Sequence, residues 1–168
     1  MQASDMFHPR KNALGTLVGV GIVAGIISAM VKSGVETVLP PRLPTAVPPP
    51  IGLLDMMGFD AATMNYVFNQ TVVNWGGNGF HILFSIVIAL AYVWLVERCP
   101  KAGVWWGVPF GWLVATVGAH GIVLPLLGVA PLPWDMGSAG LISEVVGTAM
   151  WIWTIECVRR ALLRRSAD

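Results

Sequence analysis

Charged side chains are scarce in this sequence. Lys and Arg number 10 and Asp and Glu 9 among 168 residues, 11% in all, where soluble domains average about 25%. A chain so poor in charge cannot present a water-facing surface around a core of its own. Cysteine is nearly absent too: Cys99 and Cys157 are the only two, with no C-x-x-C spacing. Both fall at ends of apolar runs on the side expected to be reducing, which argues against a disulfide framework or a zinc site. There is no glycine-rich nucleotide loop, no nucleophile elbow and no H-x-x-x-H pair. The chain is therefore read as a non-enzyme without a cofactor. It also lacks the internal repeats of transporters built from inverted halves.

What it has in quantity is apolar sequence, 55% of residues with mean hydropathy +0.70. Four runs dominate: Ala13 to Val31, Phe80 to Val96, Ala102 to Ala130 and Gly137 to Ile155. Each approaches or exceeds the ~20 residues a helix needs to cross ~30 Å of hydrocarbon. Backbone amides in lipid must be bonded internally, so runs of this length are helices. The expected fold is all-α: one polytopic membrane domain of four transmembrane helices in an antiparallel bundle. Its spans cover about 13–38, 79–97, 103–129 and 137–158, with 39–78 as an external loop. The first apolar stretch is too long for a signal peptide and no A-x-A site follows, so it is expected to be retained.

Basic residues are distributed unevenly. Arg10, Lys11, Arg98, Lys101, Arg159, Arg160, Arg164 and Arg165 flank one side of the spans, against Lys32 and Arg42 on the other. By the positive-inside rule both termini are cytoplasmic and the 39–78 loop is outside. The bilayer is the partner this composition implies. A homo-oligomer or a larger membrane complex stays open, and nucleic acid is excluded by location.

The external loop is proline-rich, Leu39-Pro40-Pro41-Arg42-Leu43-Pro44 continuing to Pro48-Pro49-Pro50. Stacked prolines predict an extended polyproline-type segment. Ile51 to Phe59 is short, apolar and barely charged, as expected of a short helix at the membrane surface or against the bundle. Asp60 then reads as the N-cap of a helix through Asn65 to Val73, and Trp75-Gly76-Gly77-Asn78-Gly79 as a break before the second span.

Small residues recur every fourth position in two spans: Gly21 and Gly25 with Ala29 in the first, and Gly103, Gly107 and Gly111 with Ala115 and Ala119 in the third. Such stripes let helix backbones approach in lipid and are read as contacts within the chain. Pro125 is expected to kink the third span beside His120. Tryptophans near the span ends are interfacial anchors.

Ionisable residues that a membrane should exclude are the candidates for function. Lys32 and Glu36 share a helix face at the end of the first span, His81 opens the second, and Glu144 lies two turns into the fourth. His120 sits roughly 24 Å along the third helix from Val104. All fall in the outer half with Arg42 of the loop, and together predict an outward-facing polar pocket of Lys32, Glu36, Arg42, His81, His120 and Glu144. The inner half has no comparable group, with Glu97 and Glu156 placed at the interface beside arginines.

The stretch from Val31 through Lys32, Gly34, Glu36 and Pro40-Pro41-Arg42 to Pro44 resembles the V-K-x-G-x-E-x-x-x-P-P-R-x-P signature of the YagU-like inner-membrane proteins. The tail from Ser143-Glu144 through Gly147 and Met150-Trp151-Ile152-Trp153 to Glu156, Arg159 and Arg160 is similar to that family's last helix. A histidine commonly follows the glycine of that helix in the family, where this chain has Thr148. The resemblance implies a multi-span bacterial inner-membrane protein bearing on acid tolerance, and it supplies no catalytic residues. Three readings follow. One is a pH-responsive pore or carrier using the outer pocket. Another is an accessory subunit or assembly factor of a larger membrane complex. The third is a haem-binding bundle with His81 and His120 as axial ligands.

Overall fold

The structure is a computed structural model that describes residues 13–39 and 47–165. Arg42, expected in the pocket, lies outside the described residues, as do Arg10 and Lys11 and the side chains of Arg164 and Arg165. Among the described residues, four helices are long and apolar enough to cross a membrane: Leu14–Val38, Trp75–Arg98, Pro100–Leu126 and Gly137–Leu163. The chain is thus a four-span helical membrane protein, as its hydropathy required.

The first span (α1, Leu14–Val38) lies against both the second (Trp75–Arg98) and the fourth (Gly137–Arg165 in full). Glycine makes that approach feasible. A Cβ at Gly25 would meet the backbone nitrogen of Ile86 at 2.8 Å, and one at Gly21 would meet Leu90 Cδ2 at 2.6 Å. A larger residue at Gly25 would force the backbones apart and one at Gly21 would displace Leu90; this is the close approach by which helices associate in lipid. Ala24, Ala89, Tyr92, Trp151, Ile152 and Ile155 form the buried centre between the spans.

The loop after α1 departs from expectation in three places. A helix, α2 (Pro49–Met56), begins inside the proline run, with Pro49 and Pro50 in its first turn. Proline is tolerated there because the amides of a first turn have no helical acceptor to lose. The expected helix over Asn65 to Val73 is instead a β-hairpin, β1 (Asn65–Phe68) pairing antiparallel with β2 (Thr71–Asn74). Asn69 and Gln70 both take positive φ, 48° and 62°, the geometry of a two-residue hairpin turn. Aromatic and β-branched residues on either side, Tyr66, Val67, Phe68, Thr71, Val72 and Val73, outweigh any cap at Asp60, whose side chain caps nothing. The glycine-rich "break" at 75–79 belongs to helix α3 (Trp75–Arg98), which Asn74 starts by accepting a 2.6 Å hydrogen bond from the Gly77 amide.

The third span is not a uniform α-helix. Pro100–Gly107 is 3₁₀-like and broken, with Val104 extended and Trp105 and Trp106 at φ 48° and 58°. There follow α4 (Val108–Gly111), a π-helix over Trp112–Val123 and α5 (Leu124–Leu126), before the fourth span as α6 (Gly137–Arg165). Winding therefore changes at both ends of Trp112–Val123, where a kink at Pro125 was expected. The supposed stripe from Gly103 to Ala119 is not one α-helical face. Its glycines still pack closely: Gly103 faces Glu156, Gly107 the Tyr92 ring and Gly111 Ile152.

Candidate functional site: a charged network beside an apolar chamber

Glu144 is carried on α6 one quarter of the way from its start, and its side chain is 1% exposed. Three spans converge on it. Lys32 Nζ on α1 reaches Glu36 Oε1 at 2.8 Å and Glu144 Oε2 at 3.5 Å. It also donates toward Thr148 Oγ1 at 3.4 Å. The Thr148 hydroxyl, one turn along α6, donates to Glu144 Oε1 at 2.7 Å. His120 Nδ1 from the π-wound third span lies 3.1 Å from the same Oε1. It is also 3.3 Å from the carbonyl of Ala115, five residues back. Both neighbours of Nδ1 are acceptors, so that nitrogen carries the hydrogen. Gly147 is the clearance that lets α1 bring its ion pair this close, since a Cβ there would stand 3.2 Å from Glu36 Oε1.

A buried carboxylate is tolerated in lipid only when paired and fully hydrogen-bonded. This one is bonded by an ammonium, a hydroxyl and an imidazole. Lys32, Glu36 and His120 also line a cavity of ≈ 360 Å³ between the spans and α2. Its other walls are mainly apolar, among them Pro49, Ile51, Leu53, Phe80, Phe84 and Trp151. Trp151 is stacked on Phe84 with ring centroids 6.1 Å apart and donates its indole N–H to Ser85 at 3.1 Å. His81 faces the same cavity, 3.4 Å from Ser33 Oγ through Nδ1. Lys32, Glu36, His120 and Glu144 are thus brought into one network, His81 is placed beside it, and Arg42 lies outside the described residues.

At the opposite end of the bundle Glu156 lies beside the arginines expected there, and its side chain is fully buried. Arg159 holds it through Nε at 2.7 Å and a second nitrogen at 2.8 Å, Arg160 through Nε at 2.6 Å, and the Tyr92 hydroxyl donates at 3.0 Å. Arg160 also lies over the Trp106 ring at 4.2 Å, which fixes the strained left-handed turn there. The arginines curl back from the boundary along their own stems, so a carboxylate near a span end is buried while its partners stay partly wet. One signal was present in the sequence. Glu144, Thr148, Ile152 and Glu156 recur every fourth residue on α6, and all are buried.

A family described as "Protein of unknown function (DUF1440)" matches residues 26–157, a range that includes every residue of both clusters except Arg159 and Arg160. The chain belongs to this family. It is also 34% identical over 191 aligned positions to the inner membrane protein YagU of Escherichia coli (strain K12), covering 98% of this chain and 93% of that relative. The YagU-like resemblance thus extends along essentially the whole sequence. No solved structure matches the chain. Where members of this family are expected to carry histidine, Thr148 here supplies the hydroxyl that joins Lys32 to Glu144.

Proposed function

We propose that this chain is a pH-responsive membrane protein, a small carrier or pore, switched by the Lys32–Glu36–His120–Glu144 network. The observation that carries this reading is the 3.1 Å contact between His120 Nδ1 and the buried carboxylate of Glu144 at a cavity wall. An imidazole changes charge within about pH 5–8. In acid it adds a second cation to Glu144; at higher pH it is a neutral donor, and the carboxylate relies on Lys32 and Thr148. A one-unit change of charge in a site of low dielectric is felt far more than at a surface. The groups facing it are Lys32 and Glu36 from α1, His81 from α3 and Glu144 from α6.

Tyr92, Trp151, Ile152 and Ile155 fill the bundle beyond the network. That supports movement of a carrier, or assembly of several copies, over an open pore through one. The basic asymmetry supports a chamber facing away from the cytoplasm, where external acid would reach it. The reading is non-catalytic, in keeping with a chain that carries none of the common nucleophile or nucleotide motifs.

The test is tryptophan emission and proteoliposome flux followed from pH 7 to pH 5. The wild-type chain is expected to show a transition that Glu144→Gln and His120→Asn abolish and His8→Asn preserves. Trp151→Phe removes the reporter at the chamber wall. A transition surviving in both chamber variants overturns the reading and leaves the network as structural glue. For orientation, a reporter active only in the cytoplasm should work after Asp168 and fail near Pro48.

A further inference from the structure

The β-hairpin has no place in the network, yet its surface is unusual. Tyr66, Val67, Phe68 and Val72 are 50%, 72%, 71% and 66% exposed. The register pairs Tyr66 with Val73, Val67 with Val72 and Phe68 with Thr71. Paired residues share a face and successive ones alternate. One face therefore carries Tyr66, Phe68 and Val73 with Thr71, and the other Val67 and Val72 with Asn65 and Asn74 at the base. Both faces present large apolar side chains and no charge. No Asp, Glu, Lys or Arg occurs from Ala61 to Val96, a stretch that holds the hairpin and nearly all of span two.

Placement adds a second observation. β2 ends at Asn74 and the membrane helix α3 begins at Trp75, with no linker between them. β1 folds back against α3, and the Trp75 amide donates to the Met64 carbonyl at 2.9 Å. Asn74 locks the base, its amide donating to the Ala61 carbonyl at 2.7 Å. The strands reach only ~13 Å at about 3.3 Å per residue. A hairpin tied to the first turn of a span thus stays at the level of the headgroups. An isolated two-stranded hairpin is marginal in water. Hydrocarbon would leave its outer backbone edges unbonded. The headgroup–acyl boundary meets both needs, offering apolar contact to the faces and water to the edges.

We propose that the hairpin of residues 65–74 is a membrane-interface anchor, its Tyr66, Val67, Phe68 and Val72 side chains seated in lipid beside the start of span two. The occupant is lipid because the hairpin runs without a linker into span two and carries no charge for a protein partner to pair with. This inference is independent of the pH-responsive reading.

The experiment places spin labels at Val67 and Phe68, one at a time, in the full chain with Cys99 and Cys157 replaced by serine, in lipid nanodiscs. Both labels are expected to be more accessible to oxygen than to a water-soluble nickel chelate. Preference for the nickel chelate means the hairpin stands in water, and overturns the proposal. Shielding from both reagents means a second copy or another protein covers it, which also overturns it. Should the serine variants fail to fold, Val67→Trp in the otherwise native chain gives the same decision. Its added emission is expected to be quenched by lipids brominated near the headgroup and spared by aqueous acrylamide; the reverse overturns the anchor.

Discussion

The two charged clusters of this bundle share a helix and differ in what holds their carboxylates. At one end of α6, Glu144 meets a lysine, a hydroxyl and an imidazole, beside a cavity of ≈ 360 Å³. At the other, Glu156 meets two arginines and a tyrosine, packed against Gly103 and Trp106. Arginine stays charged at any physiological pH, and its planar fork matches a carboxylate in two places. Histidine is the side chain whose charge changes near neutrality. A carboxylate clamped by arginines is a fastening, whereas one shared between lysine and histidine beside open space is a site that can change state.

The largest effect expected from breaking this contrast is at the fastening. Glu156→Gln leaves Arg159 and Arg160 without their shared anion and the Tyr92 hydroxyl without its charged acceptor. Stability in detergent should fall by about 3 kcal/mol, the lower end for breaking a buried ion pair because both arginines retain some access to water. Thermal unfolding checks this, and the loss should be the same at pH 5 and pH 7. A loss that varies across that range would mean the arginine end titrates as well, and the contrast would fail.

Glu144→Gln should cost less, about 2 kcal/mol, the scale of hydrogen bonds to a charged group, because Lys32 keeps Glu36. Its signature is pH dependence. Wherever imidazolium stabilises the fold through Glu144, that part is present in acid and lost as pH rises through the histidine range. The variant should flatten the unfolding temperature between pH 5 and pH 7, and His120→Asn should flatten it equally.

A smaller effect, about 1 kcal/mol, is expected for Glu36→Gln at the cavity rim, where the Lys32–Glu36 pair is partly solvated. Glu36→Gln combined with Lys32→Met should cost less than the two single changes together, since the contact is direct at 2.8 Å. Additive losses would separate the pair from the network. Smallest is Gly147→Ala, a single methyl 3.2 Å from Glu36 Oε1 and 3.4 Å from Lys32 Nζ. It should cost less than about 1 kcal/mol yet displace the pair enough to shift the midpoint of the pH response.

Much of this was legible beforehand. Lys32, Glu36, His120 and Glu144 were conspicuous because lipid excludes charge, so any that remain must find one another. The arginine partners of Glu156 were legible but its complete burial was not, because depth along a helix does not say whether arginines three and four positions on fold back over a carboxylate. The hairpin was missed because Asp60 resembles a cap, while the competing signal, β-branched and aromatic residues around Asn69-Gln70, is weaker without a glycine in the turn. The winding of the third span left no mark at all: no periodicity in Trp112–Val123 announces the π-geometry found there.

By itself, then, the sequence determined the class of the protein and its number of spans, because transfer of apolar side chains and backbone amides into lipid depends on composition and length alone. It also determined which ionisable residues needed partners. Which partners they took was settled only in three dimensions. The clearances at Gly25, Gly111 and Gly147 set how near α1 could lie to α3 and α6, and α6 to the third span, and a few tenths of an ångström at such contacts separate a hydrogen-bonded charge from a buried one that no bilayer would tolerate.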